Sequence, residues 1–275
     1  MLNHLYTMNT VISVRNVTRA FREVVAVNDV SFEVSEGEIF AFLGPNGAGK
    51  STTIKMLTTL LRPSSGQLLL AGHDVQTEQD AARKIFGIVF QDPSLDDELT
   101  ALENMELHAV LYGVDKKTMR SRIQELLSLV ELWDRRHSRV KTFSGGMKRR
   151  LEIARGLLHH PRILFLDEPT LGLDAQTRKL LWEYIGKLNS TEGMTIFFTT
   201  HYLAEAEAIA SRIAIIDHGK IVASGTVEEL KQQTGKTNLE DAYLALTGST
   251  VRDEAVDSAD NTKEAMRRFI ASRRR

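Results

Sequence analysis

Apolar and polar residues alternate along "VISVRNVT" (11–18) and again along "VNDVSFEV" (27–34), where Val30, Phe32 and Val34 fall on one face; both segments predict strands. "EIFAFLG" (38–44) is an almost wholly apolar run and predicts another. The period then changes. In "STTIKMLTTLL" (51–61) Ile54, Leu57 and Leu61 share one side of a helix, which "RPSSG" ends with strong turn residues. "QLLLAGHDV" and "IFGIVFQD" return to the strand pattern.

From about Ser94 to His160 helical spacing dominates. "LTALENMELHAVLYG" and "KKTMRSRIQELLSLVELW" both predict helices, the second with an apolar stripe of Met119, Ile123, Leu126 and Val130. "TFSGGMKRRLEIARGLL" (142–158) predicts a third, with Met147, Leu151, Ala154 and Leu158 on one face and Ser144 at the N-cap. A strand "RILFLDEP", a helix "AQTRKLLWEYIGKL", a strand "MTIFFTTH", a helix "YLAEAEAIA" and a hairpin "RIAIIDHGKIVASG" follow. The pattern is that of an α/β chain carrying a mostly helical insertion at about 94–160. No internal repeat is present. The expected organisation is one domain over 1–235 and an appendage over 236–275, where the sequence turns polar, passes through "NLEDAYLALTG" and ends with five arginines in its last nine residues.

Composition narrows the class. A chain of 275 residues, 42% hydrophobic, can bury a substantial core. Lys and Arg total 35 against 36 Asp and Glu, a balance that does not suit a dedicated nucleic-acid binder. There is no cysteine, which excludes thiolate metal sites and a cysteine nucleophile. No stretch reaches the roughly 18 to 20 consecutive apolar residues of a membrane span, and "MLNHLYTMNT" lacks the features of a secretory signal. The expected location is cytoplasmic, and Met8 is a candidate start.

Two motifs point to phosphate chemistry. "GPNGAGKS" (44–51) fits GxxxxGK[ST] between an apolar strand and a helix. Backbone amides from Asn46 to Lys50 would wrap a β-phosphate, Lys50 would bridge β and γ oxygens, and the Ser51 hydroxyl would ligate Mg²⁺. "ILFLDEP" (163–169) is an apolar strand ending in two acids, where Asp167 fits a Mg²⁺ partner and Glu168 a group that orients or deprotonates water. The plainer alternative is a pair of solvated acids at a strand end. The start of the 142–158 helix is a second anion site, because Gly145 and Gly146 leave its backbone bare.

Taken in order, "GPNGAGKST", Gln91 in "VFQD", "FSGGM", "ILFLDEP", "LGLD" and His201 in "FFTTH" resemble the nucleotide-binding domain of the ATP-binding cassette (ABC) family over roughly residues 11 to 230. The resemblance implies a P-loop NTPase core with a mixed sheet, an N-terminal antiparallel β subdomain and an inserted α-helical subdomain. It implies ATP and Mg²⁺ as ligands, bound by Gly44, Pro45, Asn46, Gly47, Ala48, Gly49, Lys50, Ser51 and Thr52, with Ser51, Gln91 and Asp167 at the metal. Glu168, His201, Gln91 and Lys50 are then the catalytic set. Phe21 corresponds to the aromatic stacker on adenine, usually tyrosine; its alternative is a core aromatic. Ser144, Gly145 and Gly146 would cap the γ-phosphate of ATP held by another copy, and Asp174, an N-cap by position, would also touch that copy.

The resemblance therefore implies a homodimer or pseudo-symmetric dimer of ATPase domains, peripheral on the inner membrane face through separate transmembrane permease subunits, with no nucleic acid. The sequence departs from the family in Phe143 before the serine and in Met147 where glutamine is usual. Its details look most like subunits that export antibiotics, lipid-linked glycans or nodulation factors. An importer subunit, or a soluble cassette ATPase acting on ribosomes or DNA, is the alternative; a kinase or GTPase is disfavoured by "FSGGM" and by the lack of NKxD. The arginine-rich end has two readings, contact with anionic lipid or a solvated tail.

Overall fold

β-branched and aromatic residues crowd Thr10–Phe21 and Val24–Ser35, and in the computed structural model, which describes residues 10–248, these pair antiparallel as β1 and β2. Alternation sets their faces: Val30, Phe32 and Val34 are buried, while Ser31 and Glu33 between them are exposed. β3 (Ile39–Leu43) is buried at every position, and the chain turns from it into α1 (Lys50–Leu57). The single strand expected in "QLLLAGHDV" is instead two. Ala71 and Gly72, at φ 46° and 87°, turn the chain between β4 (Ser65–Leu70) and the short β5 (His73–Asp74). These strands complete one antiparallel sheet in the order β2-β1-β4-β5.

A five-residue helix α2 (Gln79–Arg83) precedes β6 (Phe86–Val89). The insertion then supplies α3 (Ala101–Leu111), α4 (Lys116–Leu129) and α5 (Gly145–Gly156). Thr100 and Glu103 close a capping box at the start of α3, and Asp115 caps α4. α4 ends earlier than its apolar stripe suggests, because Glu131 at φ 56° leads into a single 3₁₀ turn at Trp133–Arg135. The insertion is anchored where α5 crosses β6. There a Cβ on Gly87 would lie 2.2 Å from the Gly156 carbonyl oxygen, so the two backbones touch.

β7 (Ile163–Asp167), α6 (Ala175–Glu192), β8 (Thr195–Thr200), α7 (Leu203–Ile209) and the antiparallel pair β9 (Arg212–Asp217) and β10 (Lys220–Gly225) follow. The second sheet runs β10-β9-β3-β8-β7-β6, with β9, β3, β8, β7 and β6 parallel. Its central strands β3, β7 and β8 are buried throughout because helices cover one face and α1 with the antiparallel sheet the other. Phe32 of β2 joins the two sheets, stacking on Phe40 of β3 at 5.6 Å and Phe197 of β8 at 5.9 Å. α8 (Val227–Thr234) and α9 (Leu239–Thr247) close the described chain, and Val227, Leu230 and Leu239 are buried in the helical side of the core.

The architecture is thus a P-loop NTPase core with a mixed sheet, an antiparallel β subdomain and an inserted helical subdomain. Among the described residues no helix is long and apolar enough to cross a membrane. Met8 and the arginine-rich end lie outside the described residues.

Candidate functional site

The parallel strands β3, β7 and β8 deliver their carboxyl ends to one place, where open α/β sheets hold ligands. Between β3 and α1 the loop 44–49 curls round the Lys50 ammonium, which donates to the carbonyls of Gly44 at 2.7 Å and Pro45 at 3.1 Å. Two of its glycines are forced by close backbone approach. A Cβ on Gly44 would lie 2.3 Å from the Ile216 carbonyl oxygen, and one on Gly49, at φ 107°, 2.5 Å from that of Ala26. No side chain caps α1, so its first N–H groups have no side-chain acceptor, the condition in which a helix start attracts an anion.

Asp167 ends β7, buried, and its Oδ1 accepts from the Ser51 hydroxyl at 3.1 Å and the Thr199 hydroxyl at 2.6 Å. Glu168 follows at φ 45°, a left-handed turn that swings its side chain away from the strand direction. Its amide donates to Thr199 Oγ1 at 3.0 Å. Its carboxylate lies between two side chains, with Oε1 3.2 Å from Lys50 Nζ and Oε2 3.1 Å from His201 Nδ1. The His201 contact is a hydrogen bond to an ionised carboxylate in the tautomer that carries its proton on Nδ1. Burial pushes the Lys50 pKa below its ordinary value, against the opposing pull of Glu168 and Asp167.

Lys50, Ser51, Glu168 and His201 line a cavity of about 380 Å³ together with Asn46, Gly47, Gly49, Thr52 and Gln91. Ala26 of β2, which carries no sequence signal, and Leu171, the first residue of "LGLD", also line it. Gly44, Pro45 and Ala48 stand behind, the first two holding Lys50 and the third accepting from the Gly219 amide at 3.0 Å. The residues fit a divalent cation of the Mg²⁺ kind: a hydroxyl and a carboxylate, both hard oxygen donors, meet at Ser51 and Asp167. Among the described residues no group of three or more His, Cys, Asp or Glu forms a closed cage, so a cation here would complete its shell from phosphate and water. Phe21 lies at the end of β1, 42% exposed, with the Arg19 guanidinium 4.4 Å over its ring. It stands outside both cores.

The second helix start is elsewhere. Ser144 caps α5, its Oγ accepting from the Met147 amide at 3.3 Å, and Asp174 caps α6, its carboxylate accepting from the Thr177 amide at 2.9 Å and hydroxyl at 2.7 Å. Those bonds hold the Asp174 carboxyl below its ordinary pKa. Both caps have φ −66° and ψ 163°, and the helix starts lie side by side, since a Cβ on Gly146 would lie 2.4 Å from Thr177 Cγ2. Neither start lines the cavity that holds Lys50.

Arg149, which the sequence did not single out, ties α5 to that cavity's walls. Its buried guanidinium donates to the carbonyls of Pro169 at 2.8 Å, Gln91 at 3.2 Å and Phe90, and pairs with Glu152 at 3.2 Å. One cation on the second helix thereby holds the loops on either side of Gln91 and Glu168.

The sequence profile described as ABC transporter matches residues 27–171. The chain is 42% identical over 236 residues, 82% of its own length and 71% of the relative's, to the doxorubicin resistance ATP-binding protein DrrA of Mycobacterium tuberculosis. To the Nod factor export ATP-binding protein I of Cupriavidus metallidurans it is 39% identical over 223 residues, 81% and 73% of the two chains. The dimeric structure of the bacterial ABC transporter cassette MJ0796 superposes with a TM-score of 0.71 at 30% identity, covering 78% of this chain and 98% of that one.

Proposed function

Because the chain belongs to the ABC transporter family, we propose that it is the ATP-binding and hydrolysing subunit of a membrane exporter. The observation that carries this reading is the Glu168 carboxylate held between Lys50 and His201, beside the Ser51–Asp167 contact. Lys50 and the amides of the loop bind the β and γ phosphates, and Ser51, Asp167 and Gln91 hold Mg²⁺, whose charge offsets that of the phosphates. Glu168 orients water for attack on the γ-phosphorus; the bond to the bridging oxygen breaks, and ADP leaves with phosphate. His201, oriented by Glu168, lies at the γ-phosphate end. Phe21, exposed at the hairpin end, stacks on the adenine.

The bare start of α5 supports a dimer, since Ser144, Gly145 and Gly146 stand apart from this chain's own phosphate loop and are free to meet ATP held by a second copy. Asp174, beside them, faces the same copy. The relatives named for doxorubicin resistance and Nod factor export support an outward direction of transport. Separate permease subunits supply the membrane path and hold this chain at the inner face. The apolar side chains that α3 leaves exposed, Leu107, Val110 and Leu111, offer them a surface.

The test uses Glu168→Gln, which keeps shape and removes the base. It should bind ATP, fail to turn over, and accumulate as a dimer with ATP but not with ADP in size-exclusion chromatography with light scattering. Adding Ser144→Arg should abolish the dimer while each monomer still binds ATP. A double variant that dimerises as well as the single one rejects the shared site.

A further inference from the structure

Glu205 sits in the first turn of α7, 5% exposed, and both of its carboxylate oxygens are engaged. Oε1 accepts from the Thr170 hydroxyl at 2.5 Å and Oε2 from the Thr200 hydroxyl at 2.9 Å. Arg178 of α6 covers the remaining side, with Nε 3.5 Å from Oε1 and its guanidinium 5.0 Å over the Tyr202 ring. A buried carboxylate is costly unless every lone pair has such a partner.

The two threonines give the arrangement its meaning. Thr170 lies two residues beyond Glu168, in the loop leaving β7, and Thr200 ends β8 immediately before His201. The Thr200 hydroxyl also accepts from the Tyr202 amide at 2.9 Å, so the backbone on both sides of His201 is fixed to the same group. Glu205 touches neither Glu168 nor His201 directly; it clamps the segments that carry them.

We propose that Glu205 is a positioning residue for hydrolysis: through Thr170 and Thr200 it sets the separation at which His201 meets Glu168. The inference rests on the reading of Glu168 and His201 as the groups at the reacting phosphate. A misplacement of about 1 Å in such a pair can cost on the order of a hundredfold in rate, whereas the phosphate loop that binds ATP leaves another strand and meets Thr200 through the backbone, the Gly44 amide donating to its carbonyl at 3.2 Å, a bond that side-chain changes keep.

Glu205→Gln is nearly isosteric but keeps an acceptor for only one of the two hydroxyls. ATP affinity by equilibrium dialysis, and KM, should stay within about twofold of the parent while kcat falls between about tenfold and a hundredfold. The pair Thr170→Val and Thr200→Val, which keeps side-chain volume, should reproduce that fall, and combining all three changes should add nothing further. Should Glu205→Gln fail to fold, as judged by its circular dichroism melt, the valine pair carries the test alone. An unchanged kcat in the folded variants, or a triple variant whose loss is the product of the separate losses, overturns the proposal. Glu168→Gln is assayed in parallel: if it still hydrolyses ATP, the reading of the site fails and the proposal with it. If it is inactive while Glu205→Gln turns over normally, the positioning role alone is wrong.

Discussion

Lys50 Nζ stands 3.2 Å from Glu168 Oε1, with both side chains buried, so the cation proposed to hold phosphate and the base proposed to act on water are in direct contact. Each compensates the other's burial. A γ-phosphate entering between them would take over the ammonium and release the carboxylate toward water, which links occupancy of the loop to availability of the base.

Lys50→Ala should therefore weaken ATP binding by at least about tenfold, since charge-assisted hydrogen bonds contribute roughly 1.5–3 kcal/mol each. It also leaves Glu168 buried without its cation. Equilibrium dialysis checks the first effect, and unaltered binding contradicts the role given to the lysine.

Phe21→Ala should lower ATP affinity by up to about tenfold, the value of a stacking contact of 0.5–1.5 kcal/mol, while hydrolysis at saturating ATP changes little. With the ring 42% exposed, the melting temperature should barely move. A large drop in melting temperature with unchanged affinity would give the residue a purely structural role.

Arg149→Met should destabilise the fold by about 3–5 kcal/mol, because it leaves the buried Glu152 only its Ser94 bonds in place of a paired cation and frees carbonyls on two loops. Burial already pushes the Glu152 pKa up and that of Arg149 down. Adding Glu152→Gln should recover part of the loss in urea unfolding, the carbonyls accounting for the rest. Equal midpoints for the single and double variants would mean that the stranded charge is not the main cost.

His108 packs at a tilt on Tyr112, which stacks on His159, and burial lowers the His108 pKa from 6.5 to about 3. Between those values the unfolded chain binds a proton that the folded chain refuses, so stability falls as pH drops from 6.5 toward 3. His108→Gln removes that contribution. Thermal melts at pH 7.5 and 5.0 should show a smaller acid-induced drop for the variant than for the parent; an equal or larger drop contradicts the assignment.

Much of the fold is written in local pattern. The apolar runs at 39–43, 163–166 and 196–198 fit covered strands, and the caps at Ser144 and Asp174 are set by residues three positions apart. α2 was not legible, because a five-residue helix that buries only Ala82 shows no period. Nor was the turn at Ala71, where a left-handed alanine gives no warning. In the site, the phosphate loop and the two strand-end acids could be read from spacing alone. Ala26, Arg149 and Glu205 could not, since a charge or a small residue declares its partners only once the sheet order brings together segments 20 to 35 positions apart, as for Arg149 with Pro169 and Glu205 with Thr170.

The neighbouring helix starts of α5 and α6 make two adjacent glycines answer to different pressures. A methyl group at Gly145 would meet this chain no closer than Leu173 Cδ2 at 3.8 Å, an ordinary contact. At Gly146 it would strike Thr177 Cγ2 at 2.4 Å, and the threonine is held by its hydroxyl bond to Asp174. In a genetic screen, inactivating alleles at 146 would thus combine a cost within the chain with any loss of outside contact, whereas those at 145 would report on the outside contact by itself.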